Sequence, residues 1–424
     1  MNKIGLIFPG QGSQYIGMTR KIYEGYGVVR EVYEEAGDVL GFDLSKLVLE
    51  GKMEDLTTSE NAQPAVVTAS IAYFRLYMQE VGITPHFSAG HSLGEISALI
   101  AGGGISFKDG VEFARKRGRY MQQAFLEKKG SMGLAVNLTE EKIESVLSSL
   151  PEELLPVQIS SYNSPTQFLI SGTSEGILEF SRRIKGLKGE FYPFKMIAMK
   201  VDAPFHSRLM DFIREGVEKE LLCYSYSELK WPVIANVTGL PYKNHRDITQ
   251  NLSLQLVSPV KWFQGLEYME KEGVTYAFET GPQQVLKNLV TGSGCNIRVL
   301  SMDHEKDFEQ IQGLFCSTGK HRLDKLSSFL KLGVSTRNSH LWDDEDYNRE
   351  VVVPYRELKQ LYLDRENSVD KISIEDVENG ARLTARIIGA KNPALAKKME
   401  LFTKLERLEP VYDRVSVEAG LIGE

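Results

Sequence analysis

One stretch constrains the fold of this chain more than any other: Phe87-Ser-Ala-Gly-His-Ser-Leu-Gly-Glu-Ile-Ser-Ala-Leu-Ile100. Its centre, Gly90-His-Ser-Leu-Gly94, fits the pattern G-x-S-x-G, in which a serine lies on a sharp turn between a strand and a helix. Only glycine fits on either side of this serine, because neighbouring backbone segments pass very close to the turn. Residues 95–101 have the composition of the following helix. The stretch therefore predicts an α/β fold with the Ser92 hydroxyl exposed at a strand end.

A helix that begins just after Ser92 would also favour chemistry there. Its first N–H groups lack partners within the helix, and its positive dipole end stabilises a developing oxyanion. The pattern is short, however, and a glycine-flanked serine also occurs in ordinary surface turns. Whether Ser92 is a nucleophile or a turn residue depends on the rest of the chain.

Length and composition limit the class of protein. A chain of 424 residues exceeds a single domain of ~100–200 residues, so two or three structural units are expected. The formal net charge of -7 gives no reason to expect nucleic acid as a partner. No apolar run approaches the ~18 residues of a membrane span, and the N-terminal apolar segment is too short for a signal peptide. Three cysteines, odd in number and outside any metal-ligand spacing, fit a cytoplasmic protein without a metal site.

A glycine-rich loop, Pro9-Gly-Gln-Gly-Ser-Gln14, follows the first predicted strand, residues 4–8. The loop lacks the G-x-G-x-x-G spacing of a dinucleotide site and the Lys-Ser/Thr of a P-loop, so a phosphate cradle is disfavoured. We expect a tight loop that offers backbone N–H groups to a neighbouring site.

The order of predicted elements divides the chain into a large domain, an insert and a tail. Residues 1–128 and 200–312 have the pattern of a large α/β-hydrolase-like catalytic domain with a parallel sheet. Residues 129–199 follow the order βαββαβ, which is typical of a small ferredoxin-like α+β domain. A turn is predicted within this insert at Asn163-Ser-Pro165.

Residues 313–424 are interpreted as a C-terminal linker and helical extension. The linker includes a strongly charged connector over residues 342–350, followed by an interruption at Pro354. An amphipathic helix is predicted over residues 393–408. We find no catalytic spacing in this tail.

Arg117 lies at an unusual place on a predicted helix, which runs from the capping box Ser106-Phe-Lys-Asp109 to about Leu126. It falls on the apolar stripe, because Phe113 and Met121 lie four residues away on either side. A buried cation is costly unless an anion meets it. That anion is either a structural carboxylate or a carboxylate-bearing substrate, and helical periodicity leaves both open.

His206 is the candidate general base. It follows Val201-Asp-Ala-Pro-Phe205, where the predicted insert closes. A single histidine is more often structural than catalytic. Here the chain also holds a candidate nucleophile, Ser92, and no other histidine lies in a comparable turn.

Seven short motifs together resemble those of the malonyl-CoA:acyl carrier protein transacylase family, which includes the free-standing, trans-acting acyltransferases of modular polyketide synthases. The resemblance covers roughly residues 1–310, and we expect the tail to lie outside it. The motifs are, in chain order, Gly10-Gln-Gly-Ser-Gln14, Gly90-His-Ser-Leu-Gly-Glu95, Arg117-Gly118, Ser161-Tyr-Asn-Ser-Pro165, Ala203-Pro-Phe-His206, Gln255-Leu-Val-Ser-Pro259 and Gly281-Pro282.

The resemblance implies transfer of a malonyl group from malonyl-CoA to the phosphopantetheine thiol of an acyl carrier protein, in polyketide or fatty acid biosynthesis. Ser92 would carry the acyl group as an ester, and His206 would move the protons in a ping-pong scheme. A carbonyl at Gln255 would orient the histidine. Backbone N–H groups of Gln11 and Leu93 would form the oxyanion hole. No permanently bound cofactor is implied, since the carrier supplies the phosphopantetheine.

The resemblance also implies how the substrate is chosen. Arg117 would hold the malonyl carboxylate through paired hydrogen bonds. Phe205 resembles the malonyl-selecting variant of its motif, in which a bulky ring leaves little room for an α-methyl branch, and Asn163 would belong to the substrate pocket. Pro204 departs from the commonest malonyl-type motif.

Two other functions compete with the transferase. A hydrolase could be a lipase-like α/β-hydrolase, but the acid of a Ser-acid-His order is available only inside the predicted insert. It could also be an acyl-carrier-protein acyl hydrolase of the same fold, a proofreading thioesterase; such relatives are expected to lack the arginine that is present at Arg117. A non-catalytic docking subunit is disfavoured by the intact Ser92 and His206.

Overall fold

The computed structural model describes residues 3–127, 130–193, 203–314, 319–336, 338, 343–366 and 374–392. The chain divides into two compact units, one of residues 1–76 and 84–307 and one of residues 77–83 and 308–424. The predicted limits of the insert fall on segments outside the described residues, and the predicted boundary at residue 312 stays a prediction.

The elements of the described residues are named in chain order. The strands are β1 Lys3–Phe8, β2 Phe87–Gly90, β3 Ser131–Val136, β4 Val157–Ser164, β5 Gln167–Gly172, β6 Glu190–Pro193, β7 Val233–Ile234, β8 Val274–Glu279 and β9 Arg298–Ser301. The α-helices are α1 Arg20–Gly25, α2 Gly27–Leu40, α3 Leu44–Glu50, α4 Met53–Leu56, α5 Ser59–Glu80, α6 Gly94–Ala101, α7 Phe107–Leu126, α8 Glu140–Ser148, α9 Ser174–Lys185, α10 Asp211–Leu221, α11 Asp247–Gln255, α12 Trp262–Lys271, α13 Val285–Thr291, α14 Glu305–Leu314, α15 Gly319–Ser335, α16 Asp344–Tyr347, α17 Val353–Glu366 and α18 Ile374–Lys391. Among these helices, none combines the length and the hydropathy that a bilayer-spanning segment requires.

The first unit contains a parallel sheet in the strand order β7-β2-β1-β8-β9. Strands β1 and β2 are almost entirely buried, as expected of continuous apolar runs with helices on both faces. Parallel strands end at one edge of the sheet, so the residues that follow β1, β2 and β7 come together there. The predicted α/β class with a parallel sheet is confirmed.

The first unit also contains an antiparallel sheet in the order β4-β5-β3-β6. Its elements follow the chain as βαββαβ, so the predicted ferredoxin-like arrangement is confirmed. One detail is wrong, because Asn163 lies in β4 and not in a turn. Ser164 still pairs with Gln167, which leaves only Pro165 and Thr166 for the turn. The core of this sheet and of helices α8 and α9 includes Ile143, Ile159, Phe168, Ile170, Ile177 and Phe180.

The described part of the second unit has a core of its own. The predicted charged linker over residues 342–350 is wrong from residue 344 onward, because residues 344–352 are helical. Val351, directly after the predicted linker, is buried in that core. Pro354 does not interrupt the helical path either, since it is the second residue of α17 and follows a π-helical turn, Asn348–Val352. The predicted helix over residues 393–408 lies outside the described residues. The core side chains are Leu326, Phe329, Val351, Leu358, Leu383 and Ile387.

Candidate active site

Ser92 lies on the turn between β2 and α6, with a backbone φ of 51°. This left-handed conformation is uncommon for a residue with a side chain. A Cβ at Gly90 would lie 1.9 Å from the carbonyl carbon of Gly94, and a Cβ at Gly94 would lie 2.0 Å from the carbonyl oxygen of Phe8. The predicted need for glycine on both sides of the serine is confirmed.

The structure brings Ser92 and His206 together. The Ser92 Oγ lies 2.7 Å from the His206 Nε2, and the His206 Nδ1 lies 2.7 Å from the main-chain carbonyl oxygen of Gln255. A carbonyl only accepts hydrogen bonds, so Nδ1 carries the proton and Nε2 is free to accept the serine proton. Burial, and then the charge of Arg117, lower the pKa of His206 to about 3, which keeps the imidazole neutral.

Arg117 is buried on α7, with 2% of its surface exposed. It donates from Nη1 to the Gln63 Oε1 at 2.9 Å, and from Nη2 to the Gln255 Oε1 at 3.0 Å and the Ser92 Oγ at 3.3 Å. Its Nε has no hydrogen-bond partner, and no carboxylate of the described chain forms an ion pair with it. Burial lowers the pKa of Arg117 to about 10, against the opposing effect of Glu95. Of the two anions considered above, no structural carboxylate contacts Arg117 among the described residues, and Glu95 acts on it only from a longer distance.

The predicted oxyanion hole combines two adjacent loops. Phe8 and Gly90 are paired at the ends of β1 and β2, so the chain after each strand leaves the same edge. A Cβ at Gly10 would lie 2.6 Å from the His91 carbonyl oxygen, which shows how closely the loops approach. Within the described chain, the N–H groups of Gln11 and Leu93 donate to no other group. Two N–H donors are therefore free beside the serine.

A small cavity adjoins the serine, with a volume of about 60 Å³. Phe205 lines it, as predicted for a pocket residue. Asn163 is not among the residues that line it: from β4, its Oδ1 lies 3.0 Å from the Nε2 of His91, which is a lining residue. The lining residues are Gly10, Gln11, His91, Ser92, Arg117, Met121, Met132, Leu169, Phe205 and His206.

Three residues around this site have no role predicted from the sequence. Asn236 accepts a hydrogen bond from the Ser92 N–H at 2.8 Å and donates to the Gly90 carbonyl oxygen at 2.7 Å, so it braces the turn. Its position just after β7 could have indicated this, because β7 neighbours β2. Gln63 and Glu95 contact Arg117 and Gln255, respectively. Gln63 carries no sequence signal, whereas Glu95 belongs to the serine motif.

Comparison with known proteins covers most of the chain. The family model described as "Acyl transferase domain" matches residues 6–278. The chain is 32% identical over 402 residues to a malonyl CoA-acyl carrier protein transacylase of Bacillus subtilis, which covers 92% of this chain and 97% of that protein. An alignment of this extent runs well beyond residue 312, so the expectation that the tail lies outside the resemblance is wrong.

Solved structures agree with this comparison. An acyl carrier protein S-malonyltransferase from Vibrio cholerae is similar with a TM-score of 0.69 at 32% identity, over 73% of this chain and 99% of that one. The malonyl-transacylase solved in complex with its type II PKS acyl-carrier protein is similar with a TM-score of 0.69 at 30% identity, over 73% of this chain and 98% of that one. The chain therefore belongs to the malonyl-CoA–acyl carrier protein transacylase family of acyltransferases.

Proposed function

We propose that this chain transfers a malonyl group from malonyl-CoA to the phosphopantetheine thiol of an acyl carrier protein, through a seryl ester on Ser92. The observation that carries the proposal is the juxtaposition of a Ser92–His206 pair with a buried arginine that has no carboxylate partner in the described chain. The relatives named above as malonyl transacylases support the same substrate.

In the first half-reaction, the Ser92 Oγ attacks the thioester carbonyl carbon of malonyl-CoA while the His206 Nε2 takes the hydroxyl proton. The resulting oxyanion accepts hydrogen bonds from the Gln11 and Leu93 N–H groups. Collapse of this intermediate breaks the C–S bond, and the departing sulfur takes the proton from His206. The neutral imidazole and its 2.7 Å contact with Ser92 support this role.

In the second half-reaction, the carrier thiol gives its proton to His206 and its sulfur attacks the ester carbonyl. The C–O bond to Ser92 breaks, and the serine oxygen regains the proton. The Gln255 carbonyl holds the imidazole in the same tautomer throughout. The solved complex of a related malonyl-transacylase with a type II PKS carrier supports a carrier protein as the partner.

Arg117 binds the malonyl carboxylate and so selects the acyl group. When malonyl-CoA binds, its carboxylate exchanges water for the Arg117 guanidinium. The substrate then supplies the anion that Arg117 lacks among its contacts in the described chain. Phe205 lines the cavity beside Ser92, and its bulky ring leaves little room there for an α-methyl branch. Asn163 acts indirectly, by holding His91.

Intact-mass spectrometry tests the proposal. The chain is mixed with malonyl-CoA, then with carrier proteins of fatty acid and polyketide synthases in separate reactions, which also distinguishes the two pathways. We expect a malonyl mass gain on the wild type, none on Ser92→Ala, and transfer to a carrier. Release of free malonate without transfer would identify a hydrolase, and a labelled Ser92→Ala variant would exclude Ser92 as the nucleophile.

A further inference from the structure

A fully buried glutamate, Glu95, lies behind the site and has no part in the reaction described above. Its Oε1 accepts from the Tyr242 hydroxyl at 2.5 Å and from the Asn236 N–H at 3.2 Å. Its Oε2 accepts from the Gln255 Nε2 at 2.6 Å. A buried carboxylate with this many donors is held in one orientation.

The side-chain amide of Gln255 lies between this carboxylate and the arginine. Its Nε2 also donates to the Ser92 carbonyl oxygen at 3.0 Å, while its Oε1 accepts from the Arg117 Nη2 at 3.0 Å. The Nε2 has a third acceptor in the Asn236 Oδ1 at 3.4 Å, so the amide cannot rotate by half a turn without facing acceptor to acceptor and donor to donor. Glu95 is the nearest of the three acceptors that keep the Gln255 Oε1 facing Arg117.

We propose that Glu95 is a positioning residue for malonyl recognition: acting through the Gln255 amide, it directs the Arg117 guanidinium toward the acyl cavity. The inference rests on the proposed function, in which Arg117 binds the malonyl carboxylate. Glu95 does not contact the guanidinium; burial raises the pKa of Glu95 to about 7. Burial lowers the pKa of Arg117 only to about 10, so the guanidinium stays charged at neutral pH while its Nε keeps a free donor.

Glu95→Gln tests this role because it preserves the size of the side chain and replaces one of the two accepting carboxylate oxygens by an NH₂ group. In one orientation of the new amide, its NH₂ group faces the Gln255 Nε2, which loses its nearest acceptor. In the other, a neutral oxygen accepts from Gln255 in place of a carboxylate, while the NH₂ group faces the Asn236 N–H and the Tyr242 hydroxyl must turn to accept from it. Either way the Gln255 amide is held less firmly against Arg117, although the Ser92 carbonyl and the Asn236 Oδ1 still accept from it. We expect the ratio of kcat/KM for malonyl-CoA over acetyl-CoA in acyl-enzyme formation to fall about 10- to 100-fold, mostly through KM.

Glu279→Gln is the matched control. Glu279 is also fully buried in the first unit, but it accepts from the Leu286 and Lys287 N–H groups at the start of α13. This variant should lose stability without changing the malonyl-to-acetyl ratio. Equal loss of both activities in Glu95→Gln, or the same change of ratio in Glu279→Gln, would overturn the proposal.

Tyr242→Phe is the milder variant, should Glu95→Gln fail to fold. It removes one donor to Glu95 and should lower the same ratio about two- to tenfold, and an unchanged ratio would overturn the proposal. The wild-type measurement separates the two hypotheses. A wild type without any malonyl loading refutes the proposed function and this inference with it, whereas normal loading with an unchanged ratio in the variants refutes the inference alone.

Discussion

Arg117 is the residue to which we assign the choice of substrate. A buried guanidinium is costly, and here amide oxygens of Gln63 and Gln255 meet it in place of a carboxylate. Amide oxygens satisfy N–H donors but leave the positive charge uncompensated at short range. A substrate carboxylate can therefore form an ion pair with the guanidinium, which a structural carboxylate in the same place would have prevented.

Replacement of Arg117 by Ala should cost about 2–5 kcal/mol of malonyl selectivity, the range for removing one partner of a buried charge pair. Acetyl-CoA should lose much less, because it has no carboxylate to bind. The measurement is kcat/KM for acyl-enzyme formation with each thioester. Equal losses for both would mean that Arg117 is structural.

The same variant makes a prediction about pH. The charge of Arg117 contributes, after burial, to the lowered pKa of His206. The base acts when neutral, so the rate falls as the pH falls through its pKa, and removing a nearby positive charge raises that pKa. With acetyl-CoA as substrate, the rate of acyl-enzyme formation in Arg117→Ala should begin to fall at a higher pH than in wild type, as measured by rapid quench from about pH 8 down to about pH 3. A fall that begins at the same or a lower pH would argue against this electrostatic coupling.

At the level of elements, the junction of β2 and α6 sets the position of the serine. Helix α6 passes so close to β1 that a methyl group at Gly94 would lie 2.0 Å from the Phe8 carbonyl oxygen. The atoms that this methyl group would meet belong to the backbone, which cannot move aside as a flexible side chain can. Phe8 is also followed directly by the loop that carries Gln11. We therefore expect a change at this glycine to affect both the stability of the fold and the proposed oxyanion hole.

Gly94→Ala should lower the free energy of unfolding by about 1–3 kcal/mol or more, and acyl-enzyme formation should slow even in the folded fraction. Gly25→Ala is the matched control, since nothing lies within 4 Å of a Cβ there and α1 favours alanine. Chemical denaturation and malonyl loading are compared for both variants. A Gly94→Ala protein as stable and active as Gly25→Ala would refute the steric argument.

For the whole molecule, the division into two units separates chemistry from the tail. Every residue with a proposed role lies in the first unit, and the described tail helices have a core of their own. Within the second unit, Gln312 donates to Glu80, so a cut after Gly313 keeps this contact.

A chain that ends at Gly313 should therefore stay soluble and load malonate on Ser92. Slower transfer from Ser92 to its native carrier would be compatible with this prediction. Circular dichroism and intact-mass spectrometry check folding and loading separately. A folded truncated chain that cannot load Ser92 would mean that the tail shapes the site.

Much of this protein could be predicted from local sequence. The turn around Ser92, the cap of α7 at Ser106 and the βαββαβ order of the small sheet depend on neighbours in the chain, through backbone sterics, capping and hydrophobic periodicity. The burial of Arg117 could also be predicted, because one helix face determines it. These features depend on interactions between residues that are close together in the chain, so a short stretch of sequence is enough to predict them.

Only the tertiary structure decided what surrounds these residues. Asn236 reaches the serine turn because β7 is placed beside β2, and Gln63, Gln255 and Glu95 meet around Arg117 from three separate helices. Asn163 lies in β4 and not in a turn, because the hairpin turn starts two residues later than its Asn-Ser-Pro sequence suggests. Contacts between distant segments depend on strand order and on helix placement, which are properties of the packed molecule and leave no periodicity in the sequence.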